Sequence, residues 1–510
     1  MNKKLLNPLK GALALLIISF NLFSHSISAS DRPNVLMISV DDLNDWVGAF
    51  GGNPQCQTPH MDRFAEKSMV FLNTSCPGPV CGPSRSALLS GFMPATTGIY
   101  SNSNNMLDSP LVQSNTTLPE YFSKQDYLTI SRGKIFHAHG SKKGIDIGHW
   151  AFDIFEQARS KIVIDAKQLN NRQKGIVHGK KLENPKFTRQ GGSTFAFGPT
   201  VGGMDGLKDY ETAKWFQKKL EEDYEKPFFM AVGISQPHLT WHVPQRFFDL
   251  YDLDTVQVPE YDLNDYKDIL NTKGKTVDKP HDDFLWCQEY GLMKDAVRAY
   301  MAATSYADEC VGMVLDSLAN SKYADNTIVM IFGDHGWHLG EKLRFRKASL
   351  WREATQTPFI VHIPGMKKKQ ECKRNVNLID IYPTLIDLCG LPTKELDGNS
   401  LKPLLENCDL PWSPTVTTQD KGNHSIISEK WHYIIRKKGT VEELYDLEND
   451  PMEFINLMQS NPEKVELAMK KLKPFLPKSN AEMVPRSNHD KSSKKLDATI
   501  KAKRDLALLK

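Results

Sequence analysis

Four short runs of β-branched and apolar residues limit this chain to a fold with a buried sheet: Asn34 to Val40, Phe228 to Ile234, Asn326 to Phe332 and Pro358 to Ile363. Runs this short and this uniformly apolar read as strands covered on both faces. A helical period from about Ala296 to Leu318 precedes the last two, with Val311, Val314, Leu315 and Leu318 on one stripe. Strands alternating with helices predict an α/β fold, a large mostly parallel mixed sheet sandwiched by helices. Three of the strands run straight into polar clusters, Asp41-Asp42, Gln236-Pro237-His238 and Asp334-His335-Gly336. Ligands of open α/β sheets bind beyond the carboxyl ends of strands, so these distant residues are expected to converge on one edge.

With 510 residues, 40% hydrophobic and 25% charged, the chain has room for one large domain and a smaller one. Gly390-Leu-Pro392 and Asp397-Gly-Asn-Ser400 mark a boundary, giving a large N-terminal domain over 31–390 and a C-terminal subdomain over 391–476. In the latter, Ser425 to Ser428, Trp431 to Lys437 and Glu443 to Asp446 read as short antiparallel strands. Asn461-Pro462 caps a helix with Val465, Ala468, Met469 and Leu472 on one face, and residues 477–510 read as a basic, mobile tail.

Residues 1–30 run from Lys3, Lys4 and Lys10 through the apolar Ala12 to Phe23 to small residues ending at Ser30, the order of a cleavable signal peptide. The run is short for a membrane span, and the expected location is the periplasm or the medium. Without the signal lysines the positive and negative side chains balance, which gives nucleic-acid binding no support. Eight cysteines include no paired C-x-x-C sets, which excludes zinc spacing. Setting Cys81 aside leaves an odd number, so at least one further thiol is expected free, and Cys310 and Cys389 suit buried free thiols.

The chemistry gathers in a few segments. Cys81-Gly-Pro-Ser-Arg85 opens a short helix that Gly91 stops, with Arg85 one turn after the thiol, a combination that suits an anion. Asp41, Asp42, Asp334 and His335 are hard or borderline ligands at two strand ends and suit a divalent cation. Lys134 and His137, three apart, can share a face of a helical turn and meet one anion, whereas His139 and His149 read as ordinary loop residues. Lys342, Arg344, Arg346, Lys347 and Arg352 form a local basic patch.

Cys81-Gly-Pro-Ser-Arg85 resembles the C-x-P-S-R signature of type I sulfatases, whose cysteine is oxidised to Cα-formylglycine (3-oxoalanine). Gly133-Lys134-Ile-Phe-His137, the strand ending in Pro237-His238, and the block from Gly333 to Arg352 resemble further sulfatase elements in the same order, over about Asn34 to Leu457. The resemblance is closest to iduronate-2-sulfatase-like bacterial polysaccharide sulfatases, although Ser235 and Gln236 stand where those carry His-Lys.

The resemblance implies an alkaline-phosphatase-like sulfatase fold and hydrolysis of sulfate esters on ulvan, carrageenan or glycosaminoglycan oligosaccharides, with 2-O-sulfated uronate as a first candidate. It implies one calcium ion held by Asp41, Asp42, residue 81, Asp334 and His335, and a formylglycine-generating enzyme as maturation partner. The implied nucleophile is the formylglycine at Cys81. Arg85 and Lys134 bind the sulfate, His137 is the base, and His238 with Lys347 protonates the leaving group. Two rivals remain at this point: a phosphodiesterase or phosphonate monoester hydrolase of the same superfamily, and a non-catalytic binder of sulfated glycans.

Overall fold

The computed structural model describes residues 32–137, 151–156, 159–189 and 193–485. Residues 1–30, read above as a signal peptide, His139, His149 and the chain beyond 485 lie outside the described residues. No described helix is long and apolar enough to cross a membrane.

The first strands are β1 (Asn34–Val40), β2 (Met69–Ser75), β3 (Leu128–Gly133) and β4 (Ile154–Glu156). A small four-stranded sheet follows, made of β5 (Asn170–Asn171), β6 (Ile176–Val177), β7 (Lys180–Lys181) and β8 (Ala196–Phe197). Then come β9 (Phe228–Ile234), β10 (Thr327–Gly333), the hairpin of β11 (His338–Leu339) and β12 (Phe345–Arg346), β13 (Phe359–His362) and β14 (Gln370–Asn377).

Eight of these build the main sheet in the order β14-β2-β13-β10-β1-β9-β3-β4. Only β13 runs antiparallel to its neighbours. β1 lies at the centre, parallel to β10 and β9, so that Val40 pairs with both Gly333 and Ile234. That register brings the residues following all three strands to one edge.

Alternation along β1 shows why a fully apolar strand is needed there. Leu36, Ile38 and Val40 enter a core shared with the long helix Met293–Ala319. Val35 and Met37 enter the opposite layer, with Leu88, Leu89, Ile381 and Leu385. Asn34–Val40 and Phe228–Ile234 form strands with the expected ends, while the third and fourth runs are offset by one residue at their termini.

The C-terminal sheet is an antiparallel meander of β15 (Thr415–Asp420), β16 (Asn423–Ile427), β17 (Trp431–Arg436) and β18 (Val441–Asp446). The Pro462–Leu472 helix, capped by the Asn461 side chain on Lys464 N–H, buries Ala468 and Leu472 against it. β15 leans on the catalytic layer: Thr417 Oγ1 donates to the Cys76 carbonyl and Thr418 N–H to that of Pro77.

The stretch expected to be a mobile tail begins differently. Ala481 N–H donates to Ala95 O, Val484 N–H donates to Gly98 O, and Val484 is buried. The bias toward Lys and Ser after Leu476 masks this one apolar anchor.

Candidate active site

Asp41 and Asp42 leave β1 together, and Asp42 adopts a left-handed backbone (φ 61°). Its own N–H donates to Asp334 Oδ1 at 3.0 Å, which locks the ends of β1 and β10 to each other. Tyr300, on the long helix, donates its hydroxyl to Asp42 O at 2.8 Å and receives the Asn44 N–H.

Cys81 is the first residue of the Cys81–Ser90 helix, whose C-terminal Gly91 is left-handed (φ 79°), the conformation glycine adopts without a Cβ clash. Asn102 Oδ1 accepts the Gly82 N–H at 2.7 Å, and Ser84 Oγ donates to Asp334 O. The Cys81 sulfur lies 3.3 Å from His335 Nε2, 2.9 Å from Lys347 Nζ and 3.8 Å from Asp42 Oδ1.

Arg85 ties three segments together. Nε donates to Asp334 Oδ2 (2.7 Å), Nη1 to the carbonyls of Lys134 and Ile135, and Nη2 to Asp41 Oδ1 (3.3 Å). A guanidinium has five N–H bonds, so at most one remains for a substrate oxygen. Lys134 Nζ donates to Asp41 Oδ2 at 2.5 Å, and Lys347 Nζ donates to Asp42 Oδ1.

Lys134 follows the end of β3 in a bend. The helical turn expected to present Lys134 and His137 on one face does not form. Gly133 and Gly233 pack so closely that a Cβ on Gly133 would fall 2.0 Å from the Gly233 carbonyl, which fixes the chain path there. His137 is half-buried at the end of this described stretch.

The site has an acidic floor and a cationic rim. Asp41, Asp42, Asp334, His335 and Arg85 are at most 2% exposed. Side-chain exposure is 23% at Lys134, 27% at His238 and 13% at Lys347. Burial raises the Asp41 pKa, but Lys134, His238 and Arg85 outweigh it and hold the carboxyl well below its usual range. Burial and Asp41 push the Cys81 thiol up, yet Lys134 and Lys347 bring it well below an ordinary cysteine. Burial pulls Lys134 and Lys347 down, but Asp41 and Asp42 respectively hold both above the ordinary lysine value.

The donor set fits a divalent cation. Ligand atoms of Asp41, Asp42, Cys81 and His238 lie within 4.8 Å of one another, as do those of Asp41, Cys81, Asp334 and His335. Asp42 Oδ2 is buried and has no hydrogen-bond partner among the described residues. His335 Nδ1 sits 2.9 Å from the Gly336 carbonyl, which can only accept, so Nε2 is left to act as a ligand.

The basic patch is not the open surface its sequence predicts. Lys342 is 2% exposed, bonded to Asp265 Oδ1 and the Glu453 carbonyl. Arg346 is engaged by Asp283, and Arg344 lies 5.5 Å from the Trp351 ring. Of the five, Lys347 is the one that reaches the Cys81 cluster. Tyr300 and Asn102 had no signal in the sequence, since each acts through tertiary placement alone.

The chain matches the family described as Sulfatase over residues 33–391, and the family described as N-sulphoglucosamine sulphohydrolase, C-terminal, over 333–481. It belongs to the sulfatase family. A sulfatase of Formosa agariphila is 35% identical over 469 residues, covering 90% of this chain and 89% of the relative. Iduronate 2-sulfatase of Mus musculus is 28% identical over 415 residues, covering 72% and 70%.

Among solved structures, a 2-O GAG sulfatase shares the fold with a TM-score of 0.61 at 23% identity, covering 86% of this sulfatase and 90% of that chain. The phosphonate monoester hydrolase of Agrobacterium radiobacter does so with a TM-score of 0.64 at 19% identity, covering 86% and 94%. Membership makes the protein a sulfuric ester hydrolase.

Proposed function

We propose that Cys81 is converted to Cα-formylglycine and that the exported enzyme removes sulfate from sulfated oligosaccharides, with a 2-O-sulfated uronate as the first substrate to test. The observation that carries the reading is the cationic rim of Lys134 and Lys347, with His238 beside it, over a buried cluster of carboxylates centred on residue 81. Such a rim takes up a sulfate whose charge the floor alone would repel. The similarity to iduronate 2-sulfatase supports the uronate.

Asp41, Asp42, Asp334, His335 and the oxygen of residue 81 would hold one cation. Calcium suits a set dominated by oxygen. When bound, it would offset negative charge on the sulfate and on the attacking hydroxyl. The hydrated aldehyde supplies two hydroxyls, one to attack sulfur and one whose deprotonation expels sulfate and restores the aldehyde.

The chain's own residues then move protons and hold charge. Lys134 faces the sulfate oxygens. His238 donates its Nδ1–H to Leu239 O, so the proton for the leaving oxygen comes from Nε2–H of the doubly protonated ring, which returns to the neutral Nδ1–H form. Lys347, beside residue 81, supplies a second proton source for the departing alkoxide. His137 takes the proton of the second hydroxyl.

The test is peptide mass spectrometry across Cys81, paired with sulfate release from a panel of 2-O-, 4-O- and 6-O-sulfated disaccharides and 4-nitrophenyl sulfate. A loss of about 18 Da at residue 81 with release from a 2-O-sulfated uronate is the expected result. Persistent activity in Cys81→Ala overturns the nucleophile. The shared fold with a phosphonate monoester hydrolase motivates a phosphonate ester in the same panel, and faster turnover of that ester would assign the site to the other chemistry.

A further inference from the structure

Lys347 follows a hairpin whose backbone is costly. Lys342 (φ 51°), Leu343 (φ 49°), Arg346 (φ 79°) and Ala348 (φ 63°) are all left-handed without being glycine. Each such residue is strained by its Cβ and persists only where side chains and neighbours over-determine it. Arg346, directly before Lys347, is held from one side by Asp283. Its Nε donates to Asp283 Oδ2, and Nη2 lies 3.4 Å from Oδ1.

Asp283 is wholly buried at the start of the Asp282–Glu289 helix and is shared. Arg172 Nε approaches its Oδ1 at 2.5 Å, and His281 Nδ1 approaches Oδ2 at 3.3 Å. Arg172 directly follows β5, an inner strand of the small sheet, and its N–H donates to Phe195 O, while Arg346 lies 5.8 Å over the Phe195 ring. His281 N–H donates to Leu343 O, pinning the far side of the hairpin. One carboxylate therefore fastens the small sheet, a helix and the lysine-bearing hairpin at a single point. Burial raises its pKa, but His281 and Arg346 bring it down to about 2, so it stays ionised.

We infer that Asp283 is a positioning residue for the sulfatase reaction, holding Arg346 in its left-handed conformation so that Lys347 Nζ reaches residue 81. The role rests on the function proposed above, in which Lys347 protonates the leaving group. Neutralising Asp283 leaves Arg346 and Arg172 with no shared anion between them. The hairpin is then free to relax to a right-handed backbone at Arg346, which swings Lys347 off Asp42 and residue 81 and leaves Asp41, Asp334 and His335 in place.

The test is a double-mutant cycle on the sugar sulfate that the wild type hydrolyses fastest, with formylglycine content measured in every variant. Asp283→Asn is expected to lower kcat about 10-fold or more with little change in KM, and Asp283→Glu to recover part of the loss. In a Lys347→Ala background, Asp283→Asn should add almost nothing, because both changes remove one function. Arg346→Lys, which keeps the charge and loses the fork, repeats the comparison if Asp283→Asn does not fold.

Equal losses in both backgrounds, or an unchanged kcat in either variant, overturn the inference. A wild type carrying formylglycine that releases sulfate from no sugar in the panel overturns the proposed function instead.

Discussion

Asp42 combines three roles that few residue types could share. Its backbone is left-handed, its Oδ1 receives Lys347, and its Oδ2 is buried without a hydrogen-bond partner among the described residues. Asparagine tolerates the same backbone and keeps one acceptor oxygen but supplies no charge. We expect Asp42→Asn to fold with a melting temperature within a few degrees of the parent and to purify with little calcium by elemental analysis. Activity should fall by about 10³-fold or more. Retention of stoichiometric calcium would remove Asp42 from the ligand set.

The residues gathered here were largely legible in the chain because chemistry resides in residue type and short spacing. Cys81 with Arg85, Asp41 with Asp42, and Asp334 with His335 are local pairs. Asn102, Tyr300 and Asp283 were not legible, since an ordinary asparagine, tyrosine or aspartate becomes informative only when another element arrives beside it.

At the scale of elements, β1 and β9 could be read to the residue because strands covered on both faces are almost continuously apolar, with only Asn34 and Ser39 as polar exceptions. β14, at the sheet edge, carries Gln370, Glu371, Lys373 and Arg374 with one face open, and its sequence gives no strand signal. The long helix hid another function. Asp308, 1% exposed, accepts N–H bonds from His60 (3.0 Å) and Met61 (2.8 Å) at the start of the Pro59–Ala65 helix. Burial pushes its pKa up to about 7 against the pull of those two bonds.

The folded state therefore holds this proton more tightly than the unfolded chain. Its contribution to stability declines as pH rises from about 4 to about 7 and then levels off. Asp308→Asn should shrink the difference in melting temperature between pH 5 and pH 7.5. An undiminished difference would place the titration elsewhere. The Lys342 ammonium, held by Asp265 and the Glu453 carbonyl and flanked by Trp351 and Tyr445, joins the β11–β12 hairpin to the C-terminal sheet. Lys342→Ala strands the buried Asp265 and should cost about 3–5 kcal/mol in urea denaturation.

Across the whole molecule, the C-terminal sheet and the segment after it clamp the chain on either side of residue 81. β15 bonds to Cys76 and Pro77, and Asn104 Nδ2 donates to Val484 O two residues from the Asn102 that caps Gly82. Ending the chain after Leu476 exposes the pocket of Val484 and leaves the Ala95 and Gly98 carbonyls without their donors. We expect a loss of ~3 kcal/mol by the same denaturation assay. A truncated enzyme as stable as the full chain would show that the clamp is idle.

The clamp also imposes an order in time. Cys81 and Lys347, in contact when folded, are 266 residues apart. At roughly 5–20 residues per second, a ribosome needs on the order of ten to fifty seconds to pass from one to the other. Through most of that interval β1 has neither β10 beside it nor the C-terminal sheet above, and the thiol would stay open to a modifying enzyme. Once the last segment docks, residue 81 is 0% exposed. The oxidation proposed for Cys81 would thus have a deadline, set by the docking of the last segment, after which a missed cysteine is sealed inside the finished enzyme.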